Sequence, residues 1–230
     1  MIKGALVSVG LLGAIACSVC AQNAAQQVQA IVRDTQKQGT RAGRLTLIWW
    51  IPPEFWRAAM AASGMVPADK TEELVSSIRD VNVFGVVDGK IGGFGAADFT
   101  SAEDLRKNIV INDIQGAPLA LIPEAKQGAA TKNMIAMMKP MFANMLGEFG
   151  KNMSLLVFEG KAKDGSRRID PLKRGSFTAK LNSEEFRWRL PLAALLPDKK
   201  CPKCNETFPG DYAFCPFDAT PLGSAATPPK

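Results

Sequence analysis

The sequence predicts an α+β fold, in which helices pack on a mixed or mainly antiparallel sheet and a small module follows at the C-terminus. The composition, 47% hydrophobic and 22% charged, is that of an ordinary globular chain. About seven strand-like and about four helix-like segments follow one another in irregular order, which is typical of the α+β class. Three C-terminal cysteines lie beyond these segments and mark a separate module.

The first elements of the predicted domain are a strand and two helices. Residues 45–51 form an unbroken apolar run with β-branched and aromatic side chains, which is typical of a buried strand. Two prolines end this strand, and helix formers follow over 54–63. Asp69 and Glu72 have the spacing of a capping box, which predicts a helix that ends near residue 79.

The Asp88-Gly89 pair predicts a hairpin turn. A strand over 81–87 would lead into this turn, and residues 90–99 would form the returning strand. The following elements are a short helix capped by Thr100 and Glu103, strands over 109–114, 118–122 and 153–158, and a long helix over 131–149 interrupted by Pro140.

Alternation of apolar and polar residues predicts a last hairpin over 176–181 and 185–190. Its outward face would carry Lys180, Arg187 and Arg189. Its inward face would hold Phe177, Ala179, Leu181, Phe186, Trp188 and Leu190.

The N-terminus has the three parts of a secretory signal peptide. Lys3 supplies a positive charge, an apolar run follows, and small residues precede a cleavage site after Ala21. The sequence therefore predicts export to the periplasm or beyond the cell, with no membrane span left after cleavage. Two alternatives stay open: lipid attachment at Cys17, which ends a weak lipobox, and an uncut N-terminal anchor.

The chain has no histidine. A Ser-His-Asp triad, a Cys-His pair and a His-ligated zinc site are therefore excluded for this chain alone. Carboxylates remain as acid–base groups, and Asp88, Asp98, Glu103, Asp104 and Asp113 lie near predicted turns and a Gly-rich strand. Two of them would have to face one cleft to form a hydrolase pair.

Signal cleavage leaves three cysteines, and their spacing is the strongest chemical signal in the chain. Cys201-Pro-Lys-Cys204 and Cys215-Pro-Phe-Asp218 form two knuckle-like pairs separated by ten residues. Thiolates and a carboxylate in such pairs can converge on one tetrahedral Zn²⁺. Four protein ligands leave no open coordination position, so the role of the metal would be structural.

Over residues 201–222 the sequence resembles the zinc-ribbon family, in a variant ending in Phe-Cys-Pro-x-Asp that is similar to tails of some bacterial multidomain proteins. The resemblance implies a rubredoxin-like pair of knuckles with the three cysteines as ligands. The sequence departs from the family at Asp218, which replaces a fourth cysteine, and at Asn205 and Ala219, which replace glycines.

Two other states of the cysteines stay open. A disulfide such as Cys204–Cys215 would close a ribbon that has lost its metal, and Cys201 with Cys204 would form a redox pair. The predicted organisation then has five parts: a signal peptide over 1–21, a Gln-rich helix or linker over 22–43, the α+β domain over 44–197, the zinc-ribbon-like module over 198–222 and a disordered tail over 223–230.

Two apolar groups give weaker signals. Six methionines lie between residues 134 and 153, where they would fill a core or, in an exported protein, hold Cu(I). Trp49, Trp50 and Trp56 would be buried in the core or exposed for stacking on a partner. Burial is the expectation for both groups.

The expected function is binding rather than catalysis. The basic region over 161–189, with nine Lys or Arg and four Asp or Glu, or an apolar groove, would contact another protein or an envelope component. Export and the lack of interleaved aromatic residues count against nucleic acid. The alternatives are a carboxylate-based hydrolase acting on an envelope or extracellular polymer, and a periplasmic metal-handling protein.

Overall fold

The computed structural model describes residues 24–93 and 97–223. The predicted signal peptide, its cleavage site after Ala21, the Cys17 alternative and nearly all of the predicted tail lie outside these residues. Among the described helices, none is both long enough and apolar enough to cross a membrane.

Helices and strands follow one another in an irregular order along the described chain. The helices are α1 over 24–35, α2 Pro53–Ser63, α3 Ala68–Ile78, α4 Ala102–Asn108, α5 Ala129–Leu146 and α6 Glu148–Lys151. The strands are β1 Gln36–Gln38, β2 Arg44–Ile51, β3 Val81–Ile91, β4 Ala97–Phe99, β5 Ile109–Asn112, β6 Ser154–Glu159, β7 Gly175–Leu181, β8 Glu184–Leu190, β9 Lys199–Lys200 and β10 Thr207–Phe208.

The central sheet is built around the long strand β3. On one side β2 pairs with β3 from Arg44↔Lys90 to Ile51↔Val83, and β1 pairs with the outer edge of β2. On the other side β3 pairs first with β6 and then, near its end, with β4. All these pairings are antiparallel, so the predicted α+β class with a mainly antiparallel sheet is confirmed.

A second sheet, in the order β5-β7-β8, packs on one face of the central sheet. The rings of Trp50 and Phe177 meet edge to face at 4.8 Å between the sheets. Phe177 is also stacked on Trp188, with ring centroids 4.8 Å apart. The predicted inward face of the last hairpin is confirmed, because all six of its side chains are buried in this core.

The helices pack on the opposite face of the central sheet. Trp49 contacts Phe55 of α2 and Phe142 of α5, each with ring centroids 5.1 Å apart. Ile31 of α1 and Val75 of α3 are fully buried in the same cluster. The domain therefore has three layers, and β2 is apolar along most of its length because both faces of the central sheet are covered.

Thr35, at the end of α1, joins the two cores. Its hydroxyl accepts a hydrogen bond from the indole of Trp49 at 3.1 Å, and its carbonyl accepts one from the indole of Trp188 at 2.8 Å. Residues 22–43, which the sequence predicts as a helix or linker, thus contain a helix that is anchored on the domain. These two buried indole donors have partners, which removes the cost of desolvating them unpaired, whereas the buried indole N–H groups of Trp50 and Trp56 have none among the described residues.

The predicted hairpin turn at Asp88-Gly89 is wrong. β3 continues through both residues to Ile91, because β2 pairs with it along this whole stretch and the Asp88 carboxylate is bonded within the sheet. Gly89 serves close packing instead: a Cβ there would lie 2.9 Å from the carbonyl oxygen of Asp98 in β4.

Both predicted capping boxes are wrong. α3 begins after Pro67, and Glu72 binds Arg57 of α2 instead of capping its own helix. α4 is capped by Ser101, whose hydroxyl accepts the N–H of Asp104 at 3.1 Å. Thr100 is not available as a cap because its hydroxyl donates to Asp88 at 2.9 Å.

The long helix α5 is not interrupted at Pro140. Met134 and Met138 before the proline and Phe142 after it are all buried against the central sheet. Packing on both sides of Pro140 therefore holds the two halves in one helix, although the proline removes a backbone donor.

Candidate metal centre and candidate binding groove

The C-terminal module is organised by two tight turns and a short two-stranded sheet. β9 and β10 pair antiparallel, and the Cys201 N–H donates to the carbonyl of Glu206 at 2.8 Å. The module has a small core of its own, made of Cys201, Phe208, Cys215 and Leu222. Four buried side chains are few for a folding unit, and such modules usually need a metal or a disulfide.

The four residues that the sequence assigns as ligands come together in this module. One ligand atom each from Cys201, Cys204, Cys215 and Asp218 lies within 4.8 Å of every other. The sulfurs of Cys204 and Cys215 are 3.7 Å apart, and the sulfur of Cys201 is 3.6 Å from a carboxylate oxygen of Asp218. The described residues thus include a cluster that could hold a metal ion.

The distances between the two sulfurs and between sulfur and oxygen match two edges of a tetrahedral zinc site. Zinc–sulfur bonds of about 2.3 Å and zinc–oxygen bonds of about 2.0 Å imply edges of about 3.8 Å between two sulfurs and about 3.5 Å between sulfur and oxygen. The observed sulfur–sulfur distance of 3.7 Å and the observed sulfur–oxygen distance of 3.6 Å are each close to the corresponding edge. A disulfide bond is about 2.05 Å long, and all three thiols are free. The Cys204–Cys215 disulfide that the sequence left open is therefore not formed in this structure.

Each turn of the module ends at a residue with a left-handed backbone. Asn205 has φ 63° and Ala219 has φ 58°, at the two positions where zinc ribbons usually carry glycine. Their N–H groups donate to the carbonyls of Cys201 at 3.0 Å and Cys215 at 2.9 Å, which closes the two turns. Asn tolerates this conformation, whereas Ala in it is strained by its Cβ.

Replacing Ala219 by Gly should stabilise the module. Gly adopts a positive φ without the steric cost of a Cβ, which is about 1 kcal/mol for Ala. We expect slower hydrogen exchange of the amides over 199–222 and an unchanged melting temperature of the α+β domain. Asn205→Gly is the matched control and should have a smaller effect, so equal effects of the two substitutions would contradict this account.

The surroundings of the candidate ligands lower the pKa of Asp218 and Cys201 but raise that of Cys215. The hydroxyl and the backbone N–H of Thr220 lower the pKa of Asp218 to about 2. Burial raises the pKa of Cys215 to about 11. At Cys201 burial also raises the pKa, but backbone N–H groups at Cys204 and Lys203 outweigh it and the net pKa is lowered. Asp218 and Cys201 are therefore the better-prepared anionic ligands.

The carboxylates considered for acid–base chemistry do not meet in one cleft. Asp88 is buried and bonded to Arg44, and Asp113 is buried and accepts from Arg168 at 2.8 Å. Asp104 belongs to the cap of α4, and Glu103 pairs with Lys107 on the same helix. Asp98 is exposed on β4. The five side chains therefore serve structural contacts or face solvent.

The expected burial is confirmed for the three tryptophans and for three of the six methionines. Trp49, Trp50 and Trp56 are each at most 3% exposed. Met134, Met138 and Met153 belong to the core beneath the helices, whereas Met137 and Met145 are exposed. These buried thioethers fill space in the core, and they are not presented to solvent as an open copper site.

The basic region over 161–189 does not form one continuous positive surface. Four of its cations are in ion pairs: Lys161 with Asp80, Arg167 with Glu54, Arg168 with Asp113 and Lys173 with Asp170. Lys180, Arg187 and Arg189 are exposed on the outer face of the second sheet as predicted, and Arg187 also bonds Ser176 at 2.8 Å.

A groove of about 1080 Å³ lies along one edge of the central sheet. Its floor includes residues 154–157 of β6 and Met153, which precedes this strand. Its walls come from α5, from residues 99–106 and from the segment 121–127. Four cationic residues line it, against a single carboxylate, Glu124. The cations are Arg106, Lys132, Lys139 and Lys151.

Sequence reasoning did not find this groove. Its residues come from four separate stretches of the chain, and only the tertiary structure brings them together. One local signal was present, since Lys132 and Lys139 are seven residues apart and therefore lie on one face of the predicted long helix.

Comparison with known proteins adds no relative to these observations. No family model, no curated protein and no solved structure matches this chain.

Proposed function

We propose that this chain is an exported, non-catalytic binding protein whose C-terminal module is a structural zinc site. The observation that supports the zinc assignment is the convergence of Cys201, Cys204, Cys215 and Asp218, whose ligand atoms all lie within 4.8 Å of one another. Zinc accepts three thiolates and one carboxylate, and its four-coordinate structural sites leave no position for a substrate. The metal would cross-link two turns that have little core of their own.

The binding role is supported by the way in which charged groups are used. Buried carboxylates, such as Asp88 and Asp113, accept hydrogen bonds from arginines, and the described groove is lined by only one carboxylate. Its unpaired cations, Arg106, Lys132 and Lys139, form no ion pair with any described residue and are exposed. A positively charged groove with such a lining suits an anionic partner better than acid–base chemistry.

Metal analysis of the purified protein tests the zinc assignment. We expect one zinc ion per chain and no reactive thiol until a chelator or denaturant is added, because all three thiols would be ligands. Release of the metal should make all three react together. A protein with no metal and a Cys204–Cys215 disulfide would overturn the assignment.

Export is tested separately on cells that express the full chain. We expect the protein in the periplasm or the medium, with an N-terminus at Gln22 by mass spectrometry. A lipid-modified N-terminus at Cys17 would identify a membrane-anchored form instead. Recovery of the intact chain from the cytosol would contradict export.

A further inference from the structure

The groove follows a stretch of β6 whose outer edge has no neighbouring strand among the described residues. Near the end of β6, the edge is covered: the Ile122 N–H donates to the Val157 carbonyl at 2.8 Å, and the Glu159 N–H donates to the Ala120 carbonyl at 2.9 Å. The segment 120–122 pairs no further back along β6. The first half of the strand therefore remains open at this edge.

The backbone of Leu155 faces this open edge. In an antiparallel strand every second residue directs its N–H and C=O to the same side. Val157 and Glu159 direct theirs away from β3, so Leu155, two residues earlier, directs its own into the groove. In the part of the chain that the structure describes, neither group of Leu155 has a partner on that side.

The walls of the groove supply charge on both sides of this edge. Lys132 and Lys139 lie on α5, Arg106 lies on α4, and Lys151 lies beside the start of β6. Lys151 pairs with Glu148, and the other three have no acidic partner in the described structure. Ile122, Ile135 and Pro140 add apolar surface between the cations.

We propose that the groove binds an extended acidic peptide segment of another protein, which adds a strand to the open edge of β6. Its backbone would pair with the N–H and C=O of Leu155, and alternate side chains would place carboxylates near the four cations. Strand addition of this kind obtains affinity from main-chain hydrogen bonds and specificity from alternate side chains. This inference rests on the binding role proposed above and names its partner class.

Charge complementarity selects this occupant over two others. The undescribed residues 1–23, 94–96 and 224–230 contain no Asp or Glu, so these segments do not complement the charge of the groove. A second copy pairing edge to edge would bring two sets of cations together, which is unfavourable. An acidic strand neutralises the cations and also protects an exposed sheet edge from aggregation.

Selection from a display library of random peptides of about ten residues, the upper length of a common strand, tests this on the full-length protein. We expect the enriched peptides to carry an excess of Asp and Glu. On binding such a peptide, the Leu155 amide should become protected from hydrogen exchange, which a contact through side chains alone would not produce.

Charge reversal provides the matched comparison. The double substitution Lys132→Glu and Lys139→Glu should lower the affinity for the selected acidic peptides by about tenfold or more, which corresponds to about 1.4 kcal/mol of binding free energy. A new selection against this variant should favour basic peptides. Lys163→Glu with Lys180→Glu makes the same charge change outside the groove and should leave acidic peptides enriched. Both pairs alter exposed side chains, so folding should be preserved.

Several results would overturn the inference. They are no enriched peptide, enrichment without an acidic excess, binding that leaves the Leu155 amide unprotected, binding to phosphatidylglycerol vesicles in place of peptides, and self-association through the groove in sedimentation. None of the groove residues belongs to the cysteine module. Failure of this inference is therefore distinguishable from failure of the zinc assignment, which metal analysis alone decides.

Discussion

Replacing Asp88 by Ala is expected to destabilise the α+β domain by about 3 kcal/mol, the cost of breaking a buried ion pair by removing one partner. The Asp88 side chain is 1% exposed and that of Arg44 22%. Asp88 accepts hydrogen bonds from the Arg44 guanidinium and from the hydroxyls of Thr46 at 2.8 Å and Thr100 at 2.9 Å. The substitution would leave the guanidinium and both hydroxyls without their acceptor, and denaturant unfolding measures the loss.

The same carboxylate predicts how stability depends on pH. Burial raises the pKa of Asp88, but the hydrogen bonds from Arg44, Thr46 and Thr100 outweigh burial, and the net pKa is lowered. A lowered folded-state pKa means that the stabilisation is complete above the unfolded value of about 3.9. It is lost as the pH falls through the folded-state pKa. Asp88→Asn should remove this part of the acid dependence.

Asp98→Ala is the matched control for Asp88. Asp98 lies on the adjacent strand β4, is exposed, and forms no ion pair within the described residues. Its replacement should change the free energy of unfolding by less than about 0.5 kcal/mol. A loss at Asp88 as small as the one at Asp98 would show that the sheet tolerates a neutral residue at the buried position and would contradict this prediction.

The α+β class and most strands could be predicted because their side-chain patterns are local. Alternation of apolar and polar residues in β7 and β8 indicates strands with one buried face, and the apolar run of β2 indicates a strand with both faces buried. The turn at Asp88-Gly89 could not be rejected locally, because Arg44 and Thr46, which hold Asp88 in a strand, lie far away in sequence. The two capping boxes could not be rejected locally for the same reason, because Glu72 binds Arg57 and Thr100 binds Asp88, both on other elements.

The two candidate sites also differ in whether their residues are close together in the sequence. The ligand cluster could be predicted because two short turns, each with ligands three residues apart, converge within one stretch of chain. The groove could not, because its open edge depends on where β6 lies in the sheet and where the segment 120–122 stops pairing. Sheet order is a long-range property that side-chain periodicity does not encode.

Cys204→Ser should abolish stoichiometric metal binding and unfold the C-terminal module while the α+β domain stays folded. Cys204 is exposed, so this substitution removes a ligand without removing a core side chain. Losing one of four ligands should weaken zinc binding by more than the roughly 10–100-fold typical of second-shell changes. Without the ion the small core of Phe208 and Leu222 cannot hold two turns, one of which contains a strained Ala219.

The readouts separate the module from the domain. Metal content should fall to background, and the amides over 199–222 should exchange rapidly, because binding and folding of such modules are coupled. The melting temperature of the domain should stay near its original value, because its core clusters share no residue with that of the module. Lys203→Ser, an exposed change in the same turn, should leave metal content and exchange unaltered. If Cys204→Ser kept the amides protected without metal, the packing of the module alone would hold its fold, and the structural role proposed for zinc would be wrong.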